Sequence, residues 1–510
     1  MIFNSIEFLF LFLPISYFGF RVLSRLMPQA VIGWLVCASL FFYGWWEPKY
    51  LILLLGSALT NYYLALLIAS RGDQKDRFRL TALGVCVNLG LLAVFKYTNF
   101  VLENASAILP FETTTYSILL PLAISFFTFQ QIAYLIDVSK FQQAEQSLPR
   151  YLLFVTFFPQ LIAGPIVHHK TLLPQLPKLF GPYDNSVIAP AITLIILGLS
   201  KKVLLADTLA VLVNPGFAMA ELGATMDAST AWISSIAYTL QLYFDFSGYC
   251  DIAIGCALLF GIRLPLNFES PLKATNIIDF WRRWHMTLSQ FLRDYLYIPL
   301  GGNRNGETRR LINLTVTMLI GGLWHGAGWT FVFWGALHGL FLVVNHTWRK
   351  CSLSHTLKGR VWRALCFMLT FSCVMFAFIF FRATTFESAL FIAGSMLSSL
   401  PTSIDSSYLQ EIDLALKHDV IHLLTELVGT NAFAISFTLL AFVIATTLPN
   451  SLALLGRERW GFENIYPLTD SLQERLNWQN NSAWAILCGV LLFLVVMSLT
   501  AVSPFLYFQF

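Results

Sequence analysis

The residues of this chain best equipped for chemistry are two histidines. His285 lies in Phe280-Trp281-Arg282-Arg283-Trp284-His285-Met286-Thr287-Leu288-Ser289, and His325 in Gly321-Gly322-Leu323-Trp324-His325-Gly326-Ala327-Gly328-Trp329. Both stretches are aromatic, the second also glycine-studded, within a strongly apolar sequence, and a polar group at membrane depth is a functional-site candidate by default. A neutral imidazole, with an ordinary pKa of roughly 6.5, accepts a proton near neutral pH. That suits attack of a hydroxyl on a thioester: the oxygen must lose its proton as it attacks, and a positioned base contributes about 10²–10⁴-fold. One histidine suffices for this step. His325 is the candidate base, with Trp324 and Trp329 to wall off water and the neighbouring glycines to leave room for a bulky substrate. His285, 40 residues earlier, would hydrogen-bond the substrate carbonyl or orient the base.

A plainer reading stands beside each of these, since a histidine among aromatics also serves as a satisfied core residue. His338, in Trp334-Gly335-Ala336-Leu337-His338, is a third candidate. His168 and His169 stand beside Lys170 at a segment end and read as solvated interfacial groups. His418-Asp419-Val420-Ile421-His422 imitates the i, i+4 histidine pair of zinc proteases, but Asp419 replaces the glutamate and no third ligand is evident, so no metal site is expected. The eight cysteines form no CxxC and read as small buried hydrophobes. No P-loop or GxGxxG fingerprint and no fixed-period repeat occurs, and no nucleic-acid partner is expected.

The elements that must hold these side chains are membrane helices. The chain is 57% hydrophobic, 15% aromatic and only 12% charged over 510 residues, against roughly 25% charged in soluble domains. Apolar windows recur along it, among them 8–20, 31–46, 51–69, 80–95, 188–200, 361–380, 432–448 and 483–499. With their flanks they match the ~20 residues a helix needs to cross a bilayer. An all-α polytopic protein of roughly ten to twelve spans is expected, with the first span a retained helix. Basic residues cluster in alternate loops: Arg21 and Arg25; Arg71, Lys75, Arg77 and Arg79; Arg349 to Arg363; Arg457 and Arg459. The positive-inside rule makes these loops cytoplasmic and the N-terminus external.

One membrane domain is expected over 1–510, with scaffold helices over 1–138, a core over 139–345, and C-terminal helices over 346–510. In the core, Phe157-Phe158-Pro159-Gln160-Leu161-Ile162-Ala163-Gly164-Pro165-Ile166 cannot be one straight helix, and broken backbone at membrane depth lines a cavity or is buried in protein. Phe244-Asp245-Phe246-Ser247-Gly248-Tyr249-Cys250-Asp251 puts two carboxylates among apolar neighbours, where they should pair with basic groups of the segment that follows. That segment, 276–305, is too charged for a lipid-facing span and reads as an interfacial or re-entrant helix plus loop on the cytoplasmic side. Over 400–428, Leu409, Ile412, Leu416, Val420, Leu423 and Leu427 recur at helical spacing, as in a helix lying on the outer face.

These motifs, with Met1-Ile2-Phe3-Asn4-Ser5, Phe41-Phe42-Tyr43-Gly44-Trp45 and Arg293-Asp294-Tyr295-Leu296-Tyr297-Ile298-Pro299-Leu300-Gly301-Gly302, resemble those of the membrane-bound O-acyltransferase (MBOAT) family in its bacterial alginate O-acetylation branch. The resemblance is nearly full length. It implies an O-acetyltransferase of the bacterial inner membrane, with His325 as the essential histidine and His285 as the second characteristic polar position. The donor would be cytoplasmic acetyl-CoA, used as substrate with no bound cofactor. The acetyl group would pass through the core to a periplasmic acceptor, for O-acetylation of alginate, another exopolysaccharide or peptidoglycan. The implied partners are a periplasmic SGNH-type acetyltransferase or a polysaccharide-modifying complex, besides membrane lipid. On the donor side Arg282, Arg283 and Arg293 would attract the donor's phosphates, with Trp281, Trp324, Tyr295, Asp245 and Ser247 as further binding candidates. The arginines have a bland reading too, as partners of Asp245, Asp251, Asp279 or Asp294. Two alternatives stay open: D-alanyl transfer from a carrier protein, and a proton-coupled transporter or flippase. The two proline-broken segments near Pro159 and Pro265 do not resemble each other, unlike the paired broken helices of inverted-repeat transporters.

Overall fold

In hydrocarbon no water can satisfy backbone N–H and C=O groups, so a spanning chain must satisfy them internally, as a helix does. The computed structural model describes residues 1–108, 116, 118–351, 357–398, 404–416, 422–456, 476–499, 505 and 506. Among them helices are the only regular elements. Seven are long and apolar enough to cross a membrane, and the chain is a multi-pass membrane protein. Its backbone divides into two compact units, one of residues 1–195 and 252–265, the other of residues 196–251 and 266–510.

The first unit holds α1 (Phe8–Leu26), α2 (Pro28–Gly44), α3 (Lys49–Ser70), α4 (Gln74–Lys96), α5 (Ile124–Phe141) and α6 (Leu148–Thr156). Its lipid-facing helices show one apolar face to their neighbours and another outward. Asn61 on α3 and Asn88 on α4 exchange amide hydrogen bonds of 2.7 and 3.1 Å, which removes two polar groups from the hydrocarbon. α5 is buried on nearly every side, its Gln130, Gln131 and Asp137 included, and Gln130 Nε2 donates to the Phe154 carbonyl at 2.8 Å. After α6 the chain breaks as its prolines require: Phe158–Leu161 makes one buried turn, and an irregular stretch follows to His168. At its end His168 and His169 are not the solvated pair expected. They gather on buried Asp137, whose Oδ2 lies 3.4 Å from His168 Nε2, 3.9 Å from His169 Nδ1 and 3.0 Å from Lys170 Nζ. The carboxylate drew them inward. Burial, then the neighbouring His168, pulls the His169 imidazole down to about 4, with Asp137 opposing.

Two long helices contribute to both units: α7 (Asn185–Glu221) and α8 (Ala228–Leu259). The rest of the second unit comprises α9 (Ile277–Arg283), α10 (Met286–Leu292), α11 (Glu307–His325), α12 (Trp329–Trp348), α13 (Arg360–Arg382), α14 (Phe386–Ser395), α15 (Ser406–Leu416), α16 (Thr430–Thr447) and α17 (Ser482–Met497). α9 reaches only ~10 Å, and α10 with the π-helical Arg293–Tyr297 that continues it under ~20 Å, short of a bilayer core, so the charged 276–305 segment does not span. On α15, Ile412 and Leu416 are buried and Leu414 is exposed, the face the spacing predicted, whereas Leu427 farther on is 73% exposed. Val420, the His418-Asp419 part of the histidine decoy, and Arg457 and Arg459 lie outside the described residues.

The α11–α12 hairpin carries His325, and its backbones meet. A Cβ at Gly322 would overlap the Phe331 carbonyl oxygen, and one at Gly335 the Met318 carbonyl oxygen; one at Gly339 would come within 3.2 Å of the Thr315 Cα. Only glycine permits that approach. A Cβ at Gly326 would strike the Phe331 ring. Gly322, with Gly335 and Gly339 across the hairpin, therefore closes two helices together, a role other than the room for substrate expected of the glycines beside His325.

Candidate active site

α8 runs wholly buried through its apolar length, and its two carboxylates need cations. They find them on the preceding helix, not on the 276–305 segment as expected. Lys202 Nζ lies 2.8 Å from both Asp245 Oδ1 and Asp207 Oδ1, and Lys201 Nζ lies 2.7 Å from Asp251 Oδ2. The reason is a π-helical stretch, Ser200–Ala206, inside α7. Inserting a wider turn re-aims consecutive lysines, and sequence spacing alone gives no hint of it. Asp245 also accepts the Leu506 N–H at 3.1 Å, and the Phe505 ring packs on Tyr249 at 4.3 Å.

Downstream of α8 the strand-like stretch through Asn267 binds the turn between α9 and α10. Glu269 N donates to Arg283 O at 2.9 Å, and Met286 N to Asn267 O at 3.0 Å. α9 is started by Asn276, whose side chain accepts from Asp279 N at 3.0 Å, and is supported by the Arg283–Asp279 pair at 3.0 Å. At its end Trp284 turns extended and His285 enters the left-handed region, φ 44° and ψ 53°, before α10 starts. For a residue with a Cβ that conformation is uncommon and must be held by its surroundings.

The result brings the two predicted histidines together. Their ring centroids lie 6.4 Å apart. His285 is fully buried, edge-on to Phe246 at 4.9 Å, and its Nδ1 lies 3.2 Å from Asn267 Oδ1. His325 ends α11, boxed by Trp324 at 4.9 Å, Trp334 at 5.1 Å and Phe381 at 5.2 Å. Trp324 reaches both imidazoles, standing 6.3 Å from His285. Trp329 is instead 57% exposed and walls nothing off. His338 sits beyond Trp334 and accepts from Trp281 Nε1 at 3.2 Å.

Next to this cluster lies a cavity of about 550 Å³, lined by Trp281, Arg282, Arg293, Tyr297, Arg310 and His346 over a floor that includes Leu292, Met318 and Leu342. Three of the expected donor-side residues, Trp281, Arg282 and Arg293, thus share one wall. Arg283 is taken up by Asp279, Tyr295 packs tilted against Phe291 at 5.0 Å, Asp245 is buried in its ion pair with Lys202 and Ser247 is buried on α8, none of them lining the cavity. Arg310 and His346 were not singled out from sequence. Their signal was available: each is basic near a span end, and Glu307 compensates for only part of the charge, bonding Arg310 at 3.1 Å and Lys350 at 3.0 Å. Asn267 was missed as well, though a lone amide in Leu264-Pro265-Leu266-Asn267-Phe268 stands out by polarity.

Chemically, the arrangement supplies two buried imidazoles in an aromatic box, beside a basic cavity open to an anionic ligand. Residues 141–386 match the model of the membrane-bound O-acyltransferase family. The chain is 44% identical over 426 residues to a peptidoglycan O-acetyltransferase of Helicobacter pylori, covering 78% of this chain and 80% of that protein. It is 40% identical over 406 residues to the probable alginate O-acetylase AlgI of Pseudomonas aeruginosa, covering 78% and 75%. A teichoic acid D-alanyltransferase of Streptococcus thermophilus is more distant, at 29% over 293 residues, 52% of this chain and 69% of that protein. With the histidine pair in place and relatives of this extent, the chain belongs to the membrane-bound O-acyltransferase family and is an acyltransferase.

Proposed function

We propose that this protein transfers an acetyl group from cytoplasmic acetyl-CoA to a hydroxyl of a cell-envelope polysaccharide, peptidoglycan or an alginate-like exopolysaccharide, on the far side of the inner membrane. The observation that carries the reading is the pairing of His285 and His325 at 6.4 Å inside an aromatic box. In this reading the pantetheine thioester enters from the basic cavity, where Arg282, Arg293 and Arg310 attract its phosphates. His325 takes the proton of the attacking hydroxyl as the C–O bond forms. The C–S bond then breaks and the thiolate leaves, regaining a proton as free CoA. Trp324, Trp334 and Phe381 keep bulk water from competing for the acyl group. The immediate acceptor is the polysaccharide itself or a periplasmic SGNH-type partner that relays the acetyl group, and the N-terminus faces the periplasm.

Release of CoA from acetyl-CoA by the protein in nanodiscs, with peptidoglycan, alginate or the partner as acceptor, tests this. Acceptor-dependent release should fall at least about 10²-fold in a folded His325→Ala variant. Undiminished release in that variant removes His325 as base. Release from a D-alanyl carrier protein instead of acetyl-CoA would move the reading to the teichoic acid branch.

A further inference from the structure

We propose that Asn267 is a positioning residue that fixes His285 as the Nδ1–H tautomer, so that His285 presents a proton-accepting Nε2 to the site; this rests on the reading of His285 and His325 above. The orientation of the Asn267 amide follows from a donor that has no choice. The Thr287 backbone N–H points at Asn267 Oδ1 at 3.2 Å, and the Thr287 hydroxyl at 2.9 Å, while the amide nitrogen faces Cys250 Sγ at 3.4 Å. An atom that receives a backbone N–H is the carbonyl oxygen, and an amide oxygen only accepts. His285 Nδ1, 3.2 Å from the same oxygen, must then carry the proton, and in the neutral ring Nε2 does not.

The same residue restrains the backbone. Asn267 O accepts from Met286 N at 3.0 Å, so one asparagine binds residues 285, 286 and 287, capping α10 from outside. A left-handed non-glycine residue is strained unless its surroundings fix it, and these bonds hold His285 there, its ring centroid 6.4 Å from that of His325. One expectation changes with this. A neutral His285 with its proton on Nδ1 has no N–H at Nε2 to offer a thioester carbonyl. It can only accept, from the His325 ring or from the incoming hydroxyl, and so orients or shares the proton in flight.

The titratable groups packed around it are His325 from α11 and, behind the Asn267 amide, Cys250 from α8, with Glu269 farther along the same segment facing Asn450. Histidine-labelled protein in nanodiscs, with the His285 signals assigned by loss in His285→Gln, should show a ¹⁵N pattern with Nδ1 protonated and Nε2 bare. An Nε2–H pattern in the wild-type protein overturns the proposal, whatever the kinetics show. Asn267→Ala should mix the tautomers and lower kcat by about 10²-fold, at the low end of a positioned proton transfer, with KM for acetyl-CoA unchanged. Asn267→Asp keeps the shape and the accepting oxygen, so it should recover most of kcat while moving the acid limb of the pH profile to higher pH, because a carboxylate stabilises the imidazolium. Equal losses in both variants with an unmoved profile reduce Asn267 to a packing role and overturn the proposal. If instead His285→Gln and His325→Ala retain full activity, the acyl-transfer reading fails while the tautomer result stands by itself.

Discussion

Three guanidiniums line one cavity. Arg293 leans on Asp294 at 2.7 Å and Arg310 on Glu307 at 3.1 Å, whereas Arg282 makes no ion pair among the described residues. Arg282→Ala and Arg310→Ala should each raise KM for acetyl-CoA by about 3- to 10-fold, the worth of a partly exposed charge contact, with kcat unchanged. Steady-state kinetics at two salt concentrations checks this, since the defect should shrink as salt screens the wild-type attraction. The sequence made Arg282 and Arg293 visible because they sit inside a charged motif on a segment that otherwise would be apolar. Arg310, His346 and Asn267 were each visible as polar groups in apolar surroundings, but nothing in their spacing tied them to the residues they join in the fold. A side chain that matters for which nitrogen of another ring holds a proton leaves no spacing pattern.

At the scale of elements, the hairpin of α11 and α12 sets where His325 can be. Its backbones touch at Gly322 and Gly335, so Gly335→Leu should push the helices apart at a cost of about 1–3 kcal/mol, as overpacking does. The expected outcome is a lower midpoint of thermal unfolding in detergent together with loss of CoA release, and full activity in that variant would show that the close approach is dispensable. In the other unit the short segment after the broken backbone carries a pH dependence. The His169 imidazole, pulled to about 4 when folded against roughly 6.5 unfolded, binds its proton more readily in the unfolded chain. Stability is therefore fully present above pH 6.5 and is lost as pH falls toward 4, by up to about 3 kcal/mol. The protection factors of α5 amides, taken relative to intrinsic exchange at each pH, should fall from pH 7 to 5 in the wild type and stay flatter in His169→Gln. Composition made the helices legible, and proline made the break after α6 legible. The inward turn of His168 and His169 was not, because the attracting Asp137 lies on another helix.

For the whole molecule, the all-helical membrane class followed from what water and lipid impose on every residue and the family resemblance from several motifs in order, whereas ion pairing was not legible, because it is decided by register. Asp245 and Asp251 needed cations, which the sequence said, but a π turn in α7 chose Lys202 and Lys201 over the arginines downstream. Lys202→Met should leave two carboxylates facing one another's former cation and destabilise the fold by about 3–5 kcal/mol, the cost of breaking a buried pair. Lys202→Met/Asp245→Leu should lose less than Lys202→Met alone, and thermal unfolding of the two variants decides it. The second group on the Asp245 carboxylate, the N–H of Leu506, lies 261 residues beyond it. A ribosome adding roughly 5–20 residues per second takes roughly a quarter-minute to a minute to span that interval. All that while α8 is already synthesised, with its carboxylate held by Lys202 alone. Asp245 therefore gains its backbone partner only after residue 506 has been made, so this part of the buried core settles late in synthesis, well after the helix that carries the carboxylate.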